Sequence, residues 1–164
     1  MKALFLVISI ILGVLLAACA QQAQPAQSLA PPTAEILKSA DGIVWSPGPA
    51  SLPSGAQFVL LEGTNLSMAE QFTFRLKLPA GYQLRPHTHP AVEHVTVISG
   101  TLYFGTSNEF DKSKGVAYPE SSFIVMPPGH VMFGWVEEET IIQVHSVGPW
   151  GIIYANPEDD PRKK

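Results

Sequence analysis

From residue 57 to residue 147 the chain repeats one pattern. Six to eight residues rich in β-branched and aromatic side chains are followed each time by a turn built on Gly, Pro, Asn or acids. "QFVLLE" at 57–62 gives way to "GTN", and "QFTFRLKL" at 71–78 to "PAG". "VEHVTVIS" at 92–99 ends at Gly100, with "TLYFGT" directly after it, and "SSFIVM" at 121–126 ends at "PPG". "VMFGWV" at 131–136 leads through the acidic turn "EEE" into "TIIQVHSV" at 140–147. Helical periodicity is nearly absent. The 15 prolines and 13 glycines fall mostly between the runs, where strand pairing tolerates them. In "QFTFRLKL" the alternation predicts Phe72, Phe74, Leu76 and Leu78 on one buried face, with Thr73, Arg75 and Lys77 on the other. Many short strands with frequent turns predict an all-β sandwich or barrel. There is one such domain, at about residues 41–156, and no internal repeat that would make a second. "TAEILKSA" at 33–40, with Thr33 able to cap, is either a short helical turn or part of a linker. Residues 157–164 read as a charged tail.

The N-terminus has a different composition. One basic residue, Lys2, precedes an apolar run that ends in small residues and Cys19, the pattern of a secretory signal over residues 1–18. The run is short for a spanning helix and no cluster of Lys or Arg follows it. "LAAC" at 16–19 resembles the lipobox of bacterial lipoproteins, which implies a lipidated Cys19 as the first mature residue. The plain alternative is ordinary signal cleavage. Residues 19–40 are rich in Gln, Ala and Pro and read as a flexible tether. The expectation is an exported protein in the periplasm or at the cell surface, touching the membrane through its anchor only. Cys19 is the sole cysteine, so no intrachain disulfide forms. Removing residues 1–18 takes away Lys2 and no acid, leaving 9 basic residues against 14 acidic. With Lys and Arg sparse and scattered, nucleic acid is not an expected partner.

The chemistry concentrates in "PAGYQLRPHTHPAVEHVTVISG" at 79–100, which holds three of the five histidines. His87 and His89 are two apart, so on a strand both point to one face. Pro90 ends that strand, and Glu93 opens the next. A hairpin there returns the carboxylate to the imidazoles. Glu93 shares its face with Val95 and Val97, where an unpaired carboxylate is costly unless a cation holds it. Two imidazoles and one carboxylate on one side of an ion leave positions open for small ligands. His94 takes the opposite face and reads as an ordinary surface or intersheet histidine.

This stretch resembles the first cupin motif throughout. Gly81 is followed after five residues by His87-x-His89, after three more by Glu93, and after six more by Gly100. "MPPGHVMFGW" supplies Pro127 and Gly129 of the second motif, Pro-x-Gly-x-x-His. With "GIVWSPGPASLPSGAQ" and "HSVGPWGIIYANPEDDP", residues 41–162 look like small single-domain bacterial cupins of the RmlC-like kind. The resemblance implies a jelly-roll β-barrel, the double-stranded β-helix. A divalent transition metal, Fe, Mn, Zn, Cu or Ni, would be held by His87, His89 and Glu93.

Met132 stands where the second motif places a histidine. Three substitutes remain open. Met132 offers a thioether, which suits soft ions. His130 is able to reach in from the turn. His145 becomes level with the vacated position if residues 131–147 form a hairpin centred at Glu138 and Glu139. Gln143 shares the face of His145 and joins it as a supporting group. The other open alternative is a degenerate site in which the polar groups bond each other and hold no ion.

The expected pocket walls are Phe74, Val95, Val97, Phe104 and Phe133, with Leu76, Phe123 and Val125 beside them and Tyr82, Tyr103 and Trp135 as polar contributors. Two functions follow. One is a metal-dependent enzyme of oxygenase, isomerase or decarboxylase type acting on a small oxygenated molecule. The other is a lipoprotein that binds or senses a small molecule or metal without turnover. A homodimer through sheet edges is a further expectation.

Overall fold

The computed structural model describes residues 35–164. The expected signal peptide, Cys19 and most of the expected tether lie outside the described residues. Within them, 35–39 carry no regular structure and Ala40–Gly42 form a 3₁₀ turn, so "TAEILKSA" forms no helix over its described part. No helix among the described residues is long and apolar enough to cross a membrane.

The strands are β1 (Ser46–Pro47), β2 (Gln57–Glu62), β3 (Gln71–Leu78), β4 (Gln83–Thr88), β5 (Glu93–Ser99) and β6 (Thr101–Gly105). Then follow β7 (Val116–Pro119), β8 (Phe123–Met126), β9 (Met132–Trp135), β10 (Thr140–Val147) and β11 (Ile153–Tyr154). They form two antiparallel sheets, in the order β1-β2-β3-β10-β5-β8 and β11-β4-β9-β6-β7. The sheets face each other as a jelly roll. Between them, Phe72, Phe74 and Val97 are at most 1% exposed, and removing each such side chain from water contributes about 1.5–3 kcal/mol. β3 alternates as the sequence predicts: Phe72, Phe74, Leu76 and Leu78 are buried, and the residues between them less so.

The connections differ from the expected ones. Only β1–β2, β2–β3 and β6–β7 are consecutive strands that pair; every other connection crosses from one sheet to the other. The expected hairpin between the His87 strand and the Glu93 strand is such a crossing. β4 already has β11 and β9 as neighbours, and β5 has β10 and β8. Both edges of each strand are taken, so the two cannot pair. The expected hairpin through "EEE" fails for the same reason. β9 pairs with β4 and β6, whereas β10 pairs with β3 and β5. Gly100 makes the crossing from β5 to β6 at φ +77°, and a Cβ there would sit 2.6 Å from Thr140 Oγ1 and 2.7 Å from the Glu139 carbonyl. No other residue fits that close approach.

The C-terminal residues do not hang free as a tail. Pro157–Asp159 and Pro161–Lys163 form 3₁₀ turns. Arg162 pairs with Asp160 through two 2.8 Å contacts and donates to the Ile152 carbonyl at 3.0 Å. That pins the segment after β10 to the barrel.

Candidate metal centre

β4 carries His87 into the space between the sheets, and the residue after its end carries His89 there. Their exposures are 2% and 3%. β5 opens with Glu93 facing them from the other sheet, 5% exposed. The three side chains therefore meet across the gap between the sheets. The rings of His87 and His89 lie edge to face with centroids 4.9 Å apart, and His89 Nε2 is 3.4 Å from Glu93 Oε2.

The backbone sets the orientation of both imidazoles. His87 Nδ1 lies 2.7 Å from the Arg85 carbonyl, and His89 Nδ1 lies 2.8 Å from the Gly151 carbonyl. A carbonyl only accepts, so each Nδ1 carries the hydrogen, and in the neutral ring Nε2 keeps its lone pair. Burial, and next the neighbouring His89, pushes His87 down to about 3, so that ring is neutral at ordinary pH. Histidines that ligate ions are held by their second nitrogen in this way. Glu93 is oriented too: its Oε1 accepts from Trp150 Nε1 at 3.0 Å. The Trp150 ring stacks on His89 at 5.1 Å and 18° and meets Phe74 edge-on at 5.1 Å.

These spacings fit an ion in pairs. Two donors each about 2.1 Å from one ion, at about 109°, lie about 3.4 Å apart, and two imidazoles at right angles to it have centroids about 5 Å apart. Among the described residues, no three His, Cys, Asp or Glu side chains meet ligand geometry together as they stand. The fit thus rests on two pairs that share His89.

The remaining expected residues separate. Met132 is the one candidate for the fourth position that lies at the site. It is the cross-strand partner of His87, 1% exposed, and lines the same cavity. His130 is exposed on the turn before β9. His145 is not level with Met132, because β9 and β10 do not pair. It sits on the outer face of β10 opposite Thr73 and His94. Gln143 shares that outer face and accepts from Arg75 Nε at 3.0 Å.

The cavity has a volume of about 60 Å³, room for about four waters. Val95, Phe104 and Leu76 line it as expected, as do Tyr82 and Trp135, together with Leu102, Met132 and Ile152. Phe74 and Val97 are core residues that do not line it. Phe133 alternates with Met132 to the other face of its sheet, where it meets Phe110 and Trp135. Phe123 and Val125 are 59% and 47% exposed on the edge strand β8. The Tyr103 hydroxyl donates to Glu137 outside the cavity. Trp150 and the Gly151 carbonyl were not among the expected site residues. Their signal is "GPWG" at 148–151, an aromatic N–H held between glycines directly after the strand that ends at Val147. Gly148 is required there, since a Cβ would collide with the Met68 carbonyl.

No protein-family model matches the chain, and no curated protein matches it in sequence. Solved structures do match its fold. A proposed acetylacetone dioxygenase from Methylibium petroleiphilum PM1 is 17% identical with a TM-score of 0.60, over 82% of this chain and 90% of that one. An RmlC-like cupin from Shewanella frigidimarina is 13% identical with a TM-score of 0.53, over 70% and 93%. The polyketide cyclase RemF from Streptomyces resistomycificus is 14% identical with a TM-score of 0.53, over 66% and 76%. At such identities the likeness is one of fold. The two-sheet barrel is the RmlC-like cupin jelly roll, an architecture that proteins of different named activities share.

Proposed function

We propose that this protein is a metal-binding cupin. His87, His89 and Glu93 hold one divalent transition-metal ion, and the cavity beside it takes a small, largely apolar, oxygen-bearing molecule. The observation that carries the reading is the orientation of the donors. Both buried imidazoles give Nδ1–H to fixed carbonyls and so leave Nε2 as the outward nitrogen, that of His89 already 3.4 Å from a buried carboxylate oxygen of Glu93. An ion bound there would act as a Lewis acid on a carbonyl or enol oxygen, or as a redox centre if its identity allows. The chain's own residues do the rest. Trp150 and Gly151 keep Glu93 and His89 in place, and the apolar walls exclude water. Met132 offers a soft thioether beside His87, which favours Cu over Fe or Mn.

Turnover of oxygenase, isomerase or decarboxylase type is one use of such a site. One observation favours a second use, capture or sensing without turnover. Among the described residues lining the cavity, Tyr82 is the one titratable side chain outside the triad. Burial pushes its phenol up, and its hydroxyl is committed to the Pro53 carbonyl, so a separate general base is missing from that lining. The fold does not choose between them. The reading extends to an exported protein anchored through Cys19.

Elemental analysis of untagged full-length protein from rich medium tests the proposal. The metal content is expected to fall by one ion per chain in His87→Ala without loss of the β-sheet spectrum. A metal-free protein under metal-replete conditions, or a His87→Ala variant that keeps the full metal content of wild type, would overturn it. Oxygen uptake or product formation on a panel of diketones and phenols separates turnover from capture.

A further inference from the structure

We propose that the outer face of the six-stranded sheet carries a second metal site. His94 and His145 form a pair of imidazoles that takes a divalent ion of the Cu²⁺, Ni²⁺ and Zn²⁺ class. His94 lies next to Glu93 on β5 but on the opposite face, so the pair is separate from the triad inside.

The pair belongs to one row that crosses four strands. Glu62 on β2 is the partner of Thr73 on β3, Thr73 of His145 on β10, and His145 of His94 on β5. Hydrogen bonds along the row determine which ring nitrogens are free. Thr73 has a single hydroxyl hydrogen, which it donates to Glu62 Oε2 at 2.9 Å. Its oxygen is therefore the acceptor for His145 Nδ1, also at 2.9 Å. His94 Nδ1 faces the backbone carbonyl of His145 at 3.3 Å, which again only accepts. In both neutral rings the lone pair is consequently on Nε2, and each Nδ1–H is tied back to the sheet. This is the support that ligating histidines receive, and the Thr73 relay to a carboxylate raises the donor strength of His145.

The spacing lies at the wide end of what one ion bridges. The two ring centroids are 6.3 Å apart at 52°. Two imidazoles sharing an ion through Nε2 at about 2.1 Å have centroids roughly 4.5–6.5 Å apart, depending on the angle at the ion. Phe123 stacks on His94 at 6.1 Å and 21° and limits the swing of that ring. Both histidines are half-buried, in contrast to His87 and His89, so an ion reaches them without opening the barrel. Two neutral nitrogens and open water positions select borderline ions, with Cu²⁺ bound most tightly in that series.

The test is a Cu²⁺ titration of the untagged full-length chain and of its His87→Ala variant, in which the inner pair of imidazoles is broken, each followed by paramagnetic resonance to count nitrogen ligands. The expected result is a Cu²⁺ site with two imidazole nitrogens that weakens by at least about tenfold in His94→Gln and in His145→Gln. It persists in His87→Ala, which disables the inner triad, and in His130→Gln, which removes the exposed histidine of the turn before β9. Thr73→Val should weaken it severalfold and alter the resonance signature, with Thr73→Ser restoring both. Unchanged melting temperatures in the outer-face variants exclude misfolding. Cu²⁺ uptake equal to wild type in His94→Gln and His145→Gln, or lost in His87→Ala, overturns the proposal.

Discussion

Trp150→Phe isolates one interaction at the inner site. Phenylalanine keeps a ring to stack on His89 and to meet Phe74 edge-on, but it removes the indole N–H that Glu93 Oε1 accepts at 3.0 Å. In the metal-free protein this leaves one oxygen of a carboxylate that is 5% exposed without its donor. A hydrogen bond to a charged group contributes about 1.5–3 kcal/mol, and leaving a buried acceptor unpaired costs that order. With a urea slope of about 1–3 kcal/mol per M, the midpoint of unfolding should fall by about 1 M. In the metal-loaded protein the same loss should appear as affinity, because Glu93 is then oriented by fewer contacts. Removal of such a support lowers affinity about 10–100-fold. Urea denaturation of the metal-free variant and a chelator-competition titration of the loaded one measure the two. If both the midpoint and the affinity match wild type, Trp150 does not hold Glu93, and the account of how the site is organised is wrong.

Three further outcomes are expected, two from the structure and the last from the sequence around Cys19. Because burial lowers His87 from 6.5 in the unfolded chain to about 3 in the fold, the unfolded state takes up that proton first as pH falls. The stability of the metal-free protein should be full above about pH 6.5. It should be lost toward pH 3 with a limiting slope of about 1.4 kcal/mol per unit from this residue; urea denaturation of His87→Gln should be flatter, and an equal slope counts against a neutral buried ring. Met132→His places a third imidazole opposite His87 and should raise affinity for Zn²⁺ or Fe²⁺ by tenfold or more, whereas an unchanged dissociation constant would mean that β9 does not face the ion. Cys19→Ser should move the protein from the membrane fraction to the soluble extract, and continued sedimentation with membranes would mean that something other than a lipid on Cys19 holds it.

The alternating run Phe72–Leu78, the spacing of His87, His89 and Glu93, and the glycine at 100 were all legible in the linear sequence. Each depends on short-range facts: the two-residue period of a strand, and a turn that excludes Cβ. The sidedness of His145 was not legible. Placing it inside assumed that neighbouring strands pair, as hairpin strands do. In this barrel β9 and β10 belong to different sheets, so a register counted from "EEE" relates residues that never meet. Phe133 was misplaced although its neighbour Met132 holds the inward position of the second motif, which by strand alternation turns Phe133 to the other face. Trp150 was missed because its role comes from contacts to Glu93 and His89, 57 and 61 positions away.

The amino-acid order thus settles which segments are strands, where the chain must turn tightly, and that two imidazoles and a carboxylate occur at the spacing of the first cupin motif. Assignment of each strand to a sheet is outside its reach, because apolar strands satisfy their hydrogen bonds equally well with several partners, and only simultaneous closure of both sheets excludes the wrong ones. That closure turns His87, His89 and Glu93 toward one another across the gap, brings Trp150 up behind them, and leaves His94 and His145 side by side in reach of water.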